Sequence, residues 1–321
     1  MKRALGLALL ALAVATVAGA GMGSTFAAFN AQTTSSANNV TAASDFRAPT
    51  LTPIVIQKAS GGTAVGSVRA GGTYRVYATV ADTGSPASGV GSVTANVSAI
   101  TPGQTAAPMA AGTFPIDGVT YNRRSNVLTA QASLPNGSRA FSVTGVDLAG
   151  NSATANGTVL IDSSAPAGAS VQTANGPGGV AGRAEEGDSI TWTYSEPIQP
   201  ASLLGSWTGA AQDVNVRIFN ASGGDRVEVY NGIFSTTVTL GELNLGRTDY
   251  VTGGSVWFFG STMTMSGTSV TIVLGDQFGT SSTAAGNGVM VWTPSDSATD
   301  HAGNPASETA VNESGPADRE F

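Results

Sequence analysis

Apolar and polar residues alternate one by one along much of this chain. In TYRVYATVAD (73–82), Tyr74, Val76, Ala78 and Val80 face one way and Arg75, Tyr77 and Thr79 the other, the period of a half-buried strand. GSVTANVSAI (91–100) sets Val93, Ala95 and Val97 on one face, and a Gly/Ser/Pro run at 84–89 separates the two strands. NVLTAQASL (126–134), RAFSVTGVD (139–147) and SATANGTVLI (152–161) predict three more strands, with Asn136-Gly137 as the hairpin turn between the first two. TPGQTAAPMAAG (101–112) carries no usable period and predicts a long loop.

The pattern continues with larger side chains. SITWTYSEPI (189–198) places Ile190, Trp192 and Tyr194 in a core, and Pro200–Leu204 predicts one helical turn with Pro at its first position. Further strands are predicted in DVNVRIFN (213–220), DRVEVYN (225–231), FSTTVTLGEL (234–243), GSVWFFG (254–260), SVTIVLG (269–275) and GVMVWTPS (288–295). Short strands, frequent turns and no helical period predict an all-β protein of antiparallel sandwiches.

Two signals recur and divide the chain. D-x-x-A-P occurs at Asp45–Pro49 and Asp162–Pro166, and D-x-A-G-N at Asp147–Asn151 and Asp300–Asn304. The residue before Pro is extended, which suits an entry strand or linker. In the second motif Asp accepts backbone N–H groups, Gly takes positive φ and Asn tolerates similar geometry, so each copy is expected to turn the chain between the last two strands of a module. The expected domains are a signal peptide at 1–28, an extended segment at 29–46, and β-sandwiches at 47–163 and 164–321.

With these residues in view, the D-x-x-A-P entry, the Val/Thr-rich strand pairs and the D-x-A-G-N exit resemble bacterial immunoglobulin-like modules strung along cell-surface proteins. The second half, with GDSITWTYSEPIQPASLLGSW, LGELNLG and SGPADREF, is similar to a β module of secreted actinobacterial proteins. STFAAFNAQTTSSANNVTAASDF (24–46) resembles the start of exported Gram-positive proteins of the camelysin and biofilm-fibre class. The resemblance implies tandem immunoglobulin-like domains behind an N-terminal signal helix, at the cell surface.

Composition agrees with export. Lys2 and Arg3 precede the uncharged stretch Ala4–Ala20, the layout of a secretory signal, with Ala18-Gly19-Ala20 and Phe26-Ala27-Ala28 as alternative cleavage sites. Retained, the same stretch would be a membrane anchor; removed, it leaves the chain two charges more negative than its −7. Acidic residues are scattered and no basic patch exists, so a nucleic-acid partner is not expected. Cys is absent, which excludes disulfides and thiolate chemistry.

Little remains for catalysis. His301 is the one histidine and lies within a turn motif, which excludes zinc sites built from several histidines. Glu185, Glu186, Asp188 and Glu196 gather around a predicted strand without the opposed pair a glycosidase needs. No catalytic, cofactor-binding or metal residue is assigned. Calcium is the one metal the oxygen donors would suit, through Asp45, Asp82, Asp147 and Asp162 at strand ends, although turn capping explains them as well. Trp257 and Phe259 oppose Val256 and Phe258, so either Trp257 or Trp292 is a candidate for stacking on sugars, the alternative being a ring pair that covers the core under a loop. The expected function is a non-enzymatic structural or adhesion protein, secreted or at the cell surface. Its partner would be an extracellular protein or a cell-wall polysaccharide, with membrane contact only through an uncleaved N-terminus. The alternatives are a carbohydrate-binding or calcium-dependent module, and a matrix fibre assembling by strand addition of residues 29–46.

Overall fold

A computed structural model describes residues 45–60 and 64–321. The signal peptide and nearly all of the extended segment lie outside the described residues. Regular structure in the described residues is strand apart from one helical turn, α1 (Pro200–Leu203), which carries Pro in its first turn as expected.

The first half contains β1 (Thr50–Lys58), β2 (Ser67–Val68), β3 (Thr73–Ala81), β4 (Val90–Asn96), β5 (Ala107–Ile116), β6 (Val119–Ser125), β7 (Leu128–Thr129), β8 (Gly137–Asp147) and β9 (Ser152–Ile161). They form one nine-stranded sheet in the order β1-β3-β6-β5-β4-β8-β9-β2, with β7 on β3. The path returns to its start. The segment before β2 bridges Gln57 of β1 through Val65, and Gly66 donates to Ile56 while accepting from Leu160. The sheet is rolled, barrel-like, around Tyr74, Val76, Val143 and Ile161. The β2–β9 pairing is parallel, a departure from a wholly antiparallel arrangement.

Two loop expectations are corrected here. Residues 107–112 begin strand β5, which pairs with β4 through Ala107 and Pro108 and then with β6 from Met109 to Ile116. Periodicity is missing because this strand leaves one neighbour for another, and it keeps little of its length buried. Asn136-Gly137 does not join two paired strands, since β7 pairs with β3 rather than β8. Asn136 instead accepts from Ser163 N at 2.9 Å and donates to Ser164 Oγ at 3.0 Å, tying down the linker. The tight hairpin lies at Asp117-Gly118, where both residues have positive φ and Ile116 faces Val119.

The second half contains β10 (Gly168–Ala174), β11 (Ser189–Tyr194), β12 (Gln212–Phe219), β13 (Arg226–Asn231), β14 (Glu242–Asn244), β15 (Ser255–Ser266), β16 (Ser269–Val273), β17 (Asp276–Phe278), β18 (Val291–Thr293) and β19 (Val311–Asn312). Their order is β10-β11-β16-β15-β12-β13-β14-β18-β19, with β17 on β15. The two ends approach each other, and Gln172 of β10 donates to the carbonyl of Ser314 just past β19 at 2.9 Å. Trp192, Tyr194, Tyr250, Phe258 and Trp292 fill the interior. Trp292 Nε1 donates to Leu240 O at 2.7 Å and its ring meets Tyr194 edge-on at 4.8 Å, so its one polar atom is satisfied without solvent. Most of 234–243 is turn rather than strand: only Glu242 and Leu243 enter β14.

Candidate functional site

The repeated motifs close on one another. In the first module Asn151 Nδ2 donates to Asp147 Oδ2 at 2.8 Å and to the carbonyl of Asp45 at 3.2 Å, while Asn151 N donates to Asp147 Oδ1 at 2.8 Å. In the second, Asn304 Nδ2 reaches Asp300 Oδ2 at 2.7 Å and the carbonyl of Asp162 at 3.0 Å, with Asn304 N on Asp300 Oδ1 at 2.8 Å. Each exit turn thus clamps the entry segment of its own module. Gly150 and Gly303 both have φ of +94°, where a side chain would be strained. The first turn joins β8 to β9, whereas the second joins no named strands and is held by the isolated bridges Thr299–Pro305 and Ile198–Asp300.

The same closure gathers acids. Carboxylate oxygens of Asp45, Asp82 and Asp147 lie within 4.8 Å of one another, and so do those of Asp162, Glu196 and Asp300. Three of the four sequence-selected calcium candidates therefore meet in one cluster, and Asp162 joins the other. Backbone donors already hold them: Asp45 accepts from Arg47 and Ser88, Asp82 from Gly84 and Gly89, and Asp300 from Gly303 and Asn304. The Arg47 amide, followed by that of Ser88, holds the Asp45 carboxyl below its ordinary range. Glu196 is pushed up, first by burial and then by Asp162 and Asp300. Turn capping accounts for the first cluster and for most of the second.

The acids around Trp192 are placed differently. Asp188 is buried and accepts from Gly176 N and Glu185 N, both at 2.7 Å; Glu185 pairs with Arg183, and Glu186 is exposed. Asp225, which no sequence signal marks, is buried and holds the amides of Tyr250 and Val251 at 2.9 and 3.0 Å. His301 is exposed at the rim of a cleft of about 370 Å³ between the modules, beside Val65, Gln199 and Trp207.

The outer face of β12, β13, β15 and β17 is different in kind. Trp257 and Phe259 stand two residues apart on β15 with near-parallel rings, 14° between planes and 6.1 Å between centroids. Phe234, from the turn after β13, meets both rings edge-on at 5.5 and 5.9 Å, and Tyr230 and Phe278 extend the row on either side. Phe234, Phe259 and Phe278 are 47%, 36% and 67% exposed, and Ile233 is 80% exposed, so the row faces solvent. A bulge after Phe259, with Gly260 at φ +64°, returns Ser261 and Met263 to the interior. The bulge is what lets one strand carry two outward rings without exposing its other half.

Polar groups border the rings. Arg217 lies 5.5 Å from the Trp257 ring centre and 3.2 Å from Glu228, whose carboxylate also accepts from Tyr230 OH at 2.8 Å. That hydrogen bond raises the Tyr230 pKa. At the Phe259 end the row runs into an open cleft of about 500 Å³ lined by Asp213, Asn215, Asn231, Ile233 and Gly260. Of the two tryptophans singled out from the sequence, Trp257 belongs to this face and Trp292 is buried. The alternation along the chain does not place Phe234 or Phe278 on this face; Ile233-Phe234 at a turn tip is the local signal for the first, and only the β15–β17 pairing reveals the second.

Comparison of the chain with protein-family models finds no match, and comparison with curated proteins finds none either.

Proposed function

We propose that this chain is a secreted, non-enzymatic adhesion protein of the cell surface, built of two immunoglobulin-like modules, whose second module holds a polysaccharide on its aromatic face. The observation that carries the reading is the row Tyr230–Trp257–Phe259–Phe278 capped by Phe234, exposed on the outside of a sheet whose interior is already filled. Leaving several large rings in water costs hydrophobic free energy, and contiguous exposed apolar surface on a soluble fold marks an interaction site. Sugar rings present apolar C–H faces and polar edges. Flat side chains meet the first, and the carboxylate of Asp213 with the Arg217–Glu228–Tyr230 group meets the second.

The immunoglobulin-like assignment draws support from the all-β architecture and from the paired entry and exit motifs; in this reading each rolled sheet is a sandwich whose two layers share a strand, as β5 does in the first module. Export draws support from the sequence of residues 1–28.

Binding of the full chain to purified cell-wall polysaccharide, by pull-down and calorimetry, tests the reading. Trp257→Ala and Phe259→Ala are each expected to lower affinity by roughly 5- to 150-fold, since stacked rings contribute about 1–3 kcal/mol in comparable base–aromatic contacts. Wild-type chain that ignores every cell-wall glycan, and instead self-associates through this face in sedimentation, would replace the reading with fibre assembly.

A further inference from the structure

The C-terminal tail carries a third group of acids, and it is built unlike the first two. Carboxylate oxygens of Glu313, Asp318 and Glu320 lie within 4.8 Å of one another. Glu313 and Glu320 are 8% and 1% exposed, and each buries an Oε1 that has no donor from outside the pair. Glu320 Oε2 accepts from Thr173 of β10 at 2.8 Å, the Met290 amide faces the Glu313 carboxylate, and the two glutamate carboxyl groups meet each other. Among the described residues no Lys or Arg pairs with any of the three. Arg319, between two of them in sequence, runs over Gly182 instead.

A buried unpaired carboxylate is costly, and two facing each other without a cation are costlier. Yet the fold spends well-placed contacts to hold them there. Glu313 N donates to Met290 O at 3.0 Å, Glu320 N to Tyr250 OH at 2.8 Å, and Phe321 packs into the core against the Tyr250 ring. Carboxylate oxygens of all three residues thus gather between β10, β19 and the tail. Around a calcium ion, with Ca–O bonds of about 2.3–2.6 Å, oxygens on opposite sides are about 4.6–5.2 Å apart, so three oxygens within the observed spacing fit one coordination shell.

We propose that Glu313, Asp318 and Glu320 form a calcium site that fastens the C-terminal tail to the edge of the second module. The cation takes the place of the proton that the buried pair holds in its absence and gives both Oε1 atoms a ligand bond. Asp318, the exposed member, closes the site from the solvent side. The assignment stands apart from glycan binding, because the aromatic face shares no residue with it.

Calcium chloride titrated into the chelator-treated full chain tests the site by calorimetry and thermal unfolding. The expected result is saturable binding and a Tm raised by roughly 5–10 °C at calcium about a hundredfold above Kd. The double variant Glu313→Gln/Glu320→Gln should lose both responses while Asp82→Asn and Glu196→Gln keep them. Asp318→Asn, at an exposed position, should fold normally and bind about tenfold more weakly, which covers a double variant that misfolds. An unchanged wild-type Tm at millimolar calcium overturns the proposal, as does binding that survives in the Asp318 variant but vanishes in Glu196→Gln.

Discussion

Lys58 of the first module donates its ammonium to the carbonyl oxygen of Asp300 in the second at 3.3 Å, and to Oε1 of Gln199. Arg69 N adds a bond to Ala302 O at 3.2 Å. One module therefore grips the exit turn of the other, and the lysine does so from a buried position that lowers its pKa, against the opposing pull of Asp300. Lys58→Ala leaves a buried amide oxygen without its donor, at a cost of about 1–3 kcal/mol. Faster proteolysis of the 162–166 linker than in wild type is the expected readout, with each module still folded by circular dichroism.

Asn304→Ala removes both side-chain donors that join Asp300 to the carbonyl of Asp162. One buried and one half-buried acceptor lose their partners, so unfolding should become easier by about 1–3 kcal/mol. Asn151→Ala should cost a similar amount, because its bonds match. A scanning-calorimetry Tm unchanged in both variants would remove the clamp from the account of this fold.

Tryptophan fluorescence isolates the aromatic face. Trp192, Trp207 and Trp292 are 1%, 5% and 0% exposed, whereas Trp257 is half-buried. Acrylamide should quench one component only, and Trp257→Phe should abolish that component with little change in Tm. Polysaccharide that occupies the face should protect the same component.

The buried tail sets a pH dependence in chelator. Burial, then Glu313, pushes the Glu320 carboxyl up to about 9 from its ordinary 4.5. The folded chain thus holds a proton that the unfolded chain releases, so this contribution is complete below about pH 4.5 and is lost as pH rises through 9. Tm should fall between pH 5 and 9, and Glu320→Gln should flatten the slope.

Much of this architecture is legible along the chain because strands that bury one face must alternate. Tyr74, Val76, Trp192 and Phe258 all lie inside for that reason. The Asp and Gly of the exit motif likewise announce a turn from their own conformational chemistry. Local pattern falls short wherever the answer depends on a distant partner: β5 divides its pairing between two strands, Asn136 serves a linker 27 residues away, and Asp82 and Glu196 meet their clusters only on folding.

By itself, then, the sequence determined strand content, the two-module punctuation and which side of β15 each ring takes, since all of these follow from neighbours a few residues apart. Tertiary structure alone decided that each sheet rolls round to meet its own first strand, that Trp257 stays partly exposed while Trp292 is enclosed, and that three tail acids gather. Those outcomes rest on which strands pair and what covers them, and pairing across more than a hundred residues leaves no periodic trace in the chain.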